Sequence, residues 1–250
     1  MVTKTRTQAK AVALSHNLVG QRLGRKGMET RERIIRAALC LLEGQQQDLP
    51  ITLTAVAREA SVGMTTLYLY FPNLGDLVLA ALIRVMDSAG AAYLDRLRTR
   101  WPDARLAACC LDFLRAHLRF WRDHARVLHM RNSFADASDI RFLEYRNQAS
   151  RPLLELLVRQ MDGAAGDAVC GHFATVLLTG FERLATVVTN ANWQITAHDF
   201  DVVDNDAYLD ALLQAEAEVM ALAIARKRRD ARRCAQAGMD SAPPDPARIA

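Results

Sequence analysis

Apolar positions recur every three to four residues through most of this chain, and the first such run lies between Met28 and Glu43. Ile34, Ile35, Ala38, Leu41 and Leu42 share one face there, while Arg31, Glu32, Arg33 and Arg36 lie off it. That rhythm predicts an amphipathic helix with one buried side. Gly44 and the polar run Gln45 to Asp48 end it, and Pro50 blocks immediate re-entry into helix. Thr52 then reads as the N-cap of a second helix whose inner face holds Leu53, Val56, Ala57 and Ala60. Ser61-Val62-Gly63 makes a tight turn with Val62 as its apolar plug. A third helix, Met64 to Tyr70, stops ahead of Pro72 with Leu67 and Phe71 pointing inward.

The same period continues. A fourth helix is expected from Leu74 to about Arg98, with Leu77, Val78, Ala81, Leu82, Val85 and Met86 inward. After Trp101-Pro102, helical stretches follow at Asp103 to Arg122, His124 to about Phe134, Ser138 to Met161, Gly166 to Asn190 and Asp206 to Arg229. No alternating strand pattern competes, so the predicted fold class is all-α. Val169 to Val188 and Tyr208 to Ile224 carry broad apolar faces, built on Phe173, Val176, Leu177, Gly180, Phe181, Leu184 and Val188 in one and Leu209, Leu212, Leu213, Ala217, Met220 and Ile224 in the other. Doubled by a twofold axis, two such helices form a four-helix subunit contact; otherwise they complete one monomer's core.

At 250 residues the chain has room for a small domain followed by a larger one. The longest apolar candidate, Phe173 to Ile195, is interrupted by Glu182 and Arg183, so no membrane span is expected. Ser15, His16 and Asn17 break the N-terminal apolar patch and no small-residue cleavage site follows it, which argues against a signal peptide. Cys40, Cys109, Cys110, Cys170 and Cys234 lack paired metal spacing and are expected as free thiols in a reducing, cytoplasmic setting.

The net charge of +4 is unevenly spread. Residues 1–27 carry six cations and no acid, residues 226–250 a surplus of four, and the middle is net acidic. A basic end suits a polyanion or is merely a solvated tail. The first is assigned to DNA because it leads straight into the helix-turn-helix, and the second, with Pro243, Pro244 and Pro246, to a disordered tail.

Other chemistry is poorly represented. His117, His124 and His129 are not spaced to share one helical face, and the acids Asp199, Asp201, Asp204 and Asp206 lack the glycine and terminal glutamate of a calcium loop. There is no phosphate-cradling glycine loop, nucleophile elbow or dinucleotide fingerprint. Neither an enzyme nor a metal or cofactor site is expected.

The run from Ile51 to Pro72, ITLTAVAREASVGMTTLYLYFP, resembles the helix-turn-helix of the tetracycline-repressor-like (TetR) regulators, and Thr30 to Ala38 is similar to that family's first helix. The likeness covers roughly residues 25 to 90. It departs where the family has Gly in place of Ser61, Ser in place of Gly63, and a Lys-Glu pair in place of Leu74-Gly75; that lysine commonly contacts a DNA phosphate, so one anchoring charge is missing. The resemblance implies a basic arm (1–27), a DNA-binding domain (28–75), a helical ligand-binding and dimerisation domain (76–229) and the tail (230–250).

It further implies a repressor that binds a near-palindromic operator as a homodimer through the helices near 166–190 and 206–229. A small apolar effector would act by pulling the fourth helix. A constitutive or architectural regulator with no effector is the alternative. The residues implied for DNA are Arg25, Lys26, Thr52, Met64, Thr65, Thr66, Tyr68, Leu69 and Tyr70. Those for the effector are Phe113, His117, Leu118, Trp121, Phe134, Tyr145, Phe173, Leu177 and Phe181, each of which equally serves as core packing.

Overall fold

The computed structural model describes residues 23–44, 50–190, 193 and 205–240, and among them every regular element is helical. Helix α1 spans Arg25–Glu43 and begins three residues before the predicted start. Arg25, Lys26 and Gly27, expected in a flexible arm, are its first turn. Gly24 is the extended N-cap, the two cations are good helix formers, and the Thr30 hydroxyl donates to the Lys26 carbonyl at 2.9 Å. The remainder of the basic arm, residues 1–22, and the predicted loop at 45–49 lie outside the described residues.

Helices α2 (Leu53–Glu59), α3 (Met64–Tyr70) and α4 (Leu74–Met86) follow. Thr52 caps α2 by accepting from the Ala55 amide at 3.1 Å, and Asn73 caps α4 by accepting from the Asp76 amide at 2.9 Å. Helix α4 stops at Met86, twelve residues short of the predicted Arg98. The Ser88 hydroxyl donates to the Val85 carbonyl at 2.7 Å, and Gly90 follows. Short polar side chains that bond their own backbone, next to a glycine, favour an exit from helix despite the apolar rhythm beyond it. The chain continues as a helical turn, Ala89–Ala92, and a 3₁₀ turn, Leu94–Leu97.

Five helices complete the described chain, the first four being α5 (Leu106–Asp123), α6 (Ala125–Asp136), α7 (Ile140–Gln160) and α8 (Ala168–Val188). The last, α9, spans Asn205–Asp240, about 54 Å at the usual helical rise. It overruns the predicted end at Arg229 and takes residues 230–240, expected as tail, into the helix. Ala231, Arg232, Arg233, Ala235, Gln236 and Ala237 are strong helix formers, and the first proline comes only at position 243. Residues 241–250 lie outside the described residues.

The helices divide into two compact units, residues 1–88 with 123–146 and residues 89–122 with 147–250. The expected boundary after residue 75 is not where the chain divides. Helix α4 packs on α1 and α6 within the first unit, burying Leu77, Val78, Ala81, Leu82 and Val85. Three short helices leave that wide apolar face uncovered, and α6, fifty residues away in sequence, covers it. Two polar contacts fix the α6 start: His124 Nδ1 lies 2.7 Å from Glu43 Oε1, and Arg126 donates to the Leu41 carbonyl at 2.9 Å. The second contact satisfies an end-of-helix carbonyl of α1.

In the second unit α8 packs on α9, and a polar knot ties three distant segments together. Arg228 of α9 is fully buried, donating to the Gln160 carbonyl at 2.7 Å, to the Trp101 carbonyl at 2.9 Å and to Gln160 Oε1 at 3.1 Å, and pairing with Asp103. Gln160 in turn donates to the Leu97 and Thr99 carbonyls at 2.9 and 2.8 Å. These bonds supply partners for backbone groups in the irregular stretch between Leu97 and Asp103.

Candidate nucleic-acid interface

Helix α3 is seven residues long and is held by its inner face. Leu67 and Phe71 are buried, Phe71 beneath the Arg31 guanidinium at 5.2 Å from the ring centroid. With that side fixed, Thr65, Tyr68 and Leu69 face outward at i, i+3 and i+4; Tyr68 is 47% and Leu69 39% exposed. Met64, Thr66 and Tyr70 flank this strip and are half-buried. Tyr68 and Leu69 thus place an aromatic ring and an aliphatic side chain side by side on the solvent face of this short helix.

Two further groups border it. Gly27 of α1 sits against the Tyr70 hydroxyl, which lies 3.6 Å from where a Cβ would stand. The exposed Arg25 and Lys26 therefore lie beside the C-terminal end of α3, and among the described residues Arg25 pairs with Glu29 at 3.8 Å. At the other border, Thr52 is exposed; its hydroxyl oxygen already accepts one bond as the cap of α2, and its proton is available to an incoming anion.

The turn before α3 carries strain. Ser61 has φ +51°, the left-handed region that glycine enters at no steric cost. The start of α4 departs from the resemblance for a visible reason: a Cβ on Gly75 would stand 3.0 Å from the Arg141 guanidinium, which reaches across from α7 to pair with Asp76 and Asp139. Arg141 is a positioning residue that sequence reasoning missed. It lies 65 positions from Asp76, and no local pattern signals such a pair.

The residues expected to line an effector pocket separate. Phe113, His117 and Phe181 meet in the second unit, with ring centroids 4.9 to 6.1 Å apart, and Trp121 lies 6.4 Å from His117. Tyr93, Phe120 and Trp101 extend the cluster. Leu118 and Leu177 are buried in the same unit, while Phe173 is half-exposed under Lys227, 5.2 Å from its ring. Phe134 and Tyr145 belong to the first unit, where Phe134 stacks on Phe142 at 4.6 Å and burial pushes the Tyr145 hydroxyl up to about 12. The cavity beside His117 and Phe181 measures about 10 Å³, room for one water. In this form the aromatic cluster is packed core.

Solved structures share this fold. A tetR-family transcriptional regulator from Streptomyces coelicolor matches with a TM-score of 0.59 at 19% identity, covering 83% of this chain and 91% of that one. A transcriptional regulator of the TerR/AcrR family from Aquifex aeolicus VF5 matches with a TM-score of 0.50 at 11% identity, covering 76% and 99%. No family model and no curated protein sequence matches the chain. At these identities the likeness establishes a common architecture.

Proposed function

We propose that this chain, whose fold is TetR-like, is a homodimeric DNA-binding transcription regulator of the cytoplasm, a repressor whose operator binding responds to a small molecule. The observation that carries the reading is the outward face of α3, Thr65, Tyr68 and Leu69, presented on a buried Leu67–Phe71 base. A helix of that width enters the major groove, where base edges display distinguishable donors, acceptors and thymine methyls. The Met64 and Leu69 side chains and the threonine methyls meet thymine methyls; the hydroxyls of Thr65, Thr66, Tyr68 and Tyr70 bond to bases or phosphates. Arg25 and Lys26 neutralise backbone charge, and Thr52 with the first amides of α2 fixes a neighbouring phosphate. No Arg, Asn or Gln stands on α3, so one subunit reads few bases and a second copy must supply the rest.

The second unit offers the surface for that copy. Val169 and Val176 on α8 and Val219 and Leu222 on α9 are all more than half exposed, the first pair two helical turns apart and the second one turn apart. Apolar stripes on two packed helices suit a four-helix contact around a twofold axis. Among the described residues no single helix is long and apolar enough to cross a membrane.

The test is selection of bound sequences from random duplexes by the full chain. An enriched inverted repeat, its half-sites about one helical turn apart, is the expected result. Recovery of random sequence would end the proposal. The packed state of the aromatic cluster favours one competing version, a constitutive regulator with no effector; a saturable thermal shift by a small molecule that also releases the selected duplex argues against it.

A further inference from the structure

A second concavity in the same unit as the aromatic cluster is open and charged. It is a groove of about 360 Å³ between α5 and the start of α9, within the size range of small-ligand sites. Leu118, Leu209 and Leu213 form its apolar floor. Along its α5 wall stand Arg115, Arg119 and Arg122, at i, i+4 and i+7, so that three guanidiniums line one helical face. Such an arrangement opposes itself, since like charges four residues apart repel.

The α9 wall does not neutralise it. Asp210 takes Arg115 at 3.3 Å, and Asp206 stands in the same groove, yet Arg119 and Arg122 pair with no carboxylate among the described residues. Both are exposed. Arg122 also lies in the last turn of α5, where a cation is favoured by the helix dipole, but Arg119 is a turn further in and has no such reason to be there. Two unengaged guanidiniums over a leucine floor match a molecule with an anionic head and an apolar body. A carboxylate suits them, because the guanidinium fork bonds both its oxygens.

We infer that this groove binds a small amphipathic carboxylate, its head held by Arg119 and Arg122 and its aliphatic or aromatic body lying on Leu118, Leu209 and Leu213. The groove shares Leu118 and Leu213 with the small cavity beside the aromatic cluster but presents its arginines on the open side, and it changes the expected effector from an apolar molecule to an anionic amphiphile. The binding stands by itself; only its consequence for operator release rests on the regulator reading.

Octanoate is the probe, with octanol and octylammonium as matched neutral and cationic controls, each titrated into the full chain by calorimetry. Octanoate is expected to bind saturably, with octanol and octylammonium at least tenfold weaker. The double variant Arg119→Gln, Arg122→Gln should lower octanoate affinity at least tenfold while its thermal melt stays unchanged, as expected for exposed positions. Arg36→Gln, on an exposed arginine of α1, should leave octanoate binding as it is. Octanoate that fails to bind, that binds no better than octanol, or that binds the double variant as well as the parent overturns the inference. A chain that binds octanoate in this pattern but selects no duplex keeps the site and removes the regulator. A chain that selects an inverted repeat but ignores octanoate does the reverse.

Discussion

At the scale of single residues, the turn between α2 and α3 is the position where local conformation and side chain disagree most. Ser61 is exposed and has φ +51°, so its Cβ crowds the backbone without any packing in return. A glycine there removes a steric cost of roughly 1–2 kcal/mol and loses about half of that to its greater freedom in the unfolded chain. Ser61→Gly should therefore raise unfolding stability by about 0.5–1 kcal/mol, and Ser61→Val should lower it by at least about 1 kcal/mol, both read from denaturant midpoints at constant m-value. On the outward face of α3 the expected division is between reading and attraction. Tyr68→Phe with Thr66→Val removes two hydroxyls proposed to meet DNA and should weaken the selected operator at least tenfold with a nearly constant salt slope. Arg25→Gln should weaken all duplexes alike and reduce the slope by about one counterion. Equal behaviour of the two variants would show that the assigned roles are wrong. The outward placement of Thr65 and Tyr68 was legible in the sequence, because the Leu67 and Phe71 that must face inward fix where they point.

At the scale of elements, what the sequence conveyed was local and what it concealed was distant. The Thr52 cap and the buried faces of α1 to α4 follow from spacing alone, since each depends on neighbours within a turn or two. The stop of α4 at Met86 does not, because Tyr93, Leu94 and Leu97 keep a helical rhythm after the chain has left the helix. Nor does the continuation of α9 to Asp240, which is anchored by partners more than a hundred residues away: Arg228 pairs with Asp103, and Arg232 joins it at 2.9 Å. The buried Arg228 makes its removal costly. Arg228→Ala leaves the Gln160 and Trp101 carbonyls without their donor and should destabilise the chain by about 3 kcal/mol, measured by chemical denaturation. The same knot sets an acid dependence. Hydrogen bonding to Arg228 holds the Asp103 carboxyl below its ordinary value, and hydrogen bonding to Arg100 does so for Asp162. A carboxyl depressed in the folded state stabilises the fold above its unfolded value and loses that contribution as pH falls through the folded one. Stability should thus decline below about pH 4, and the decline should be shallower in Arg228→Met, where Asp103 has lost the largest cause of its shift.

For the whole molecule, the proposed function makes pairing a requirement of specificity, given the composition of α3. A helix with no Arg, Asn or Gln has no bidentate contact to a base, each of which is worth about 1–3 kcal/mol of discrimination, so one copy cannot separate an operator from bulk DNA by direct reading alone. Two copies on half-sites of an inverted repeat double the number of bases read and make the second docking event intramolecular. The exposed Val176 and Leu222 are where the proposed pairing is most open to disruption, because a carboxylate at either position is tolerated by a solvated monomer and is left unpaired in a closed interface. The double variant Val176→Glu, Leu222→Glu should raise the dimer dissociation constant at least about a hundredfold, equivalent to roughly 2.7 kcal/mol, by sedimentation equilibrium. Its circular dichroism and melting should match the parent's at low concentration, and its affinity for a single half-site duplex should be unchanged. Affinity for the full inverted repeat should fall to the half-site value. A variant that stays dimeric places the contact on another surface; one that becomes monomeric yet holds the full repeat as tightly as the parent removes the need for a pair, and with it the account of how so plain a recognition helix finds its sequence.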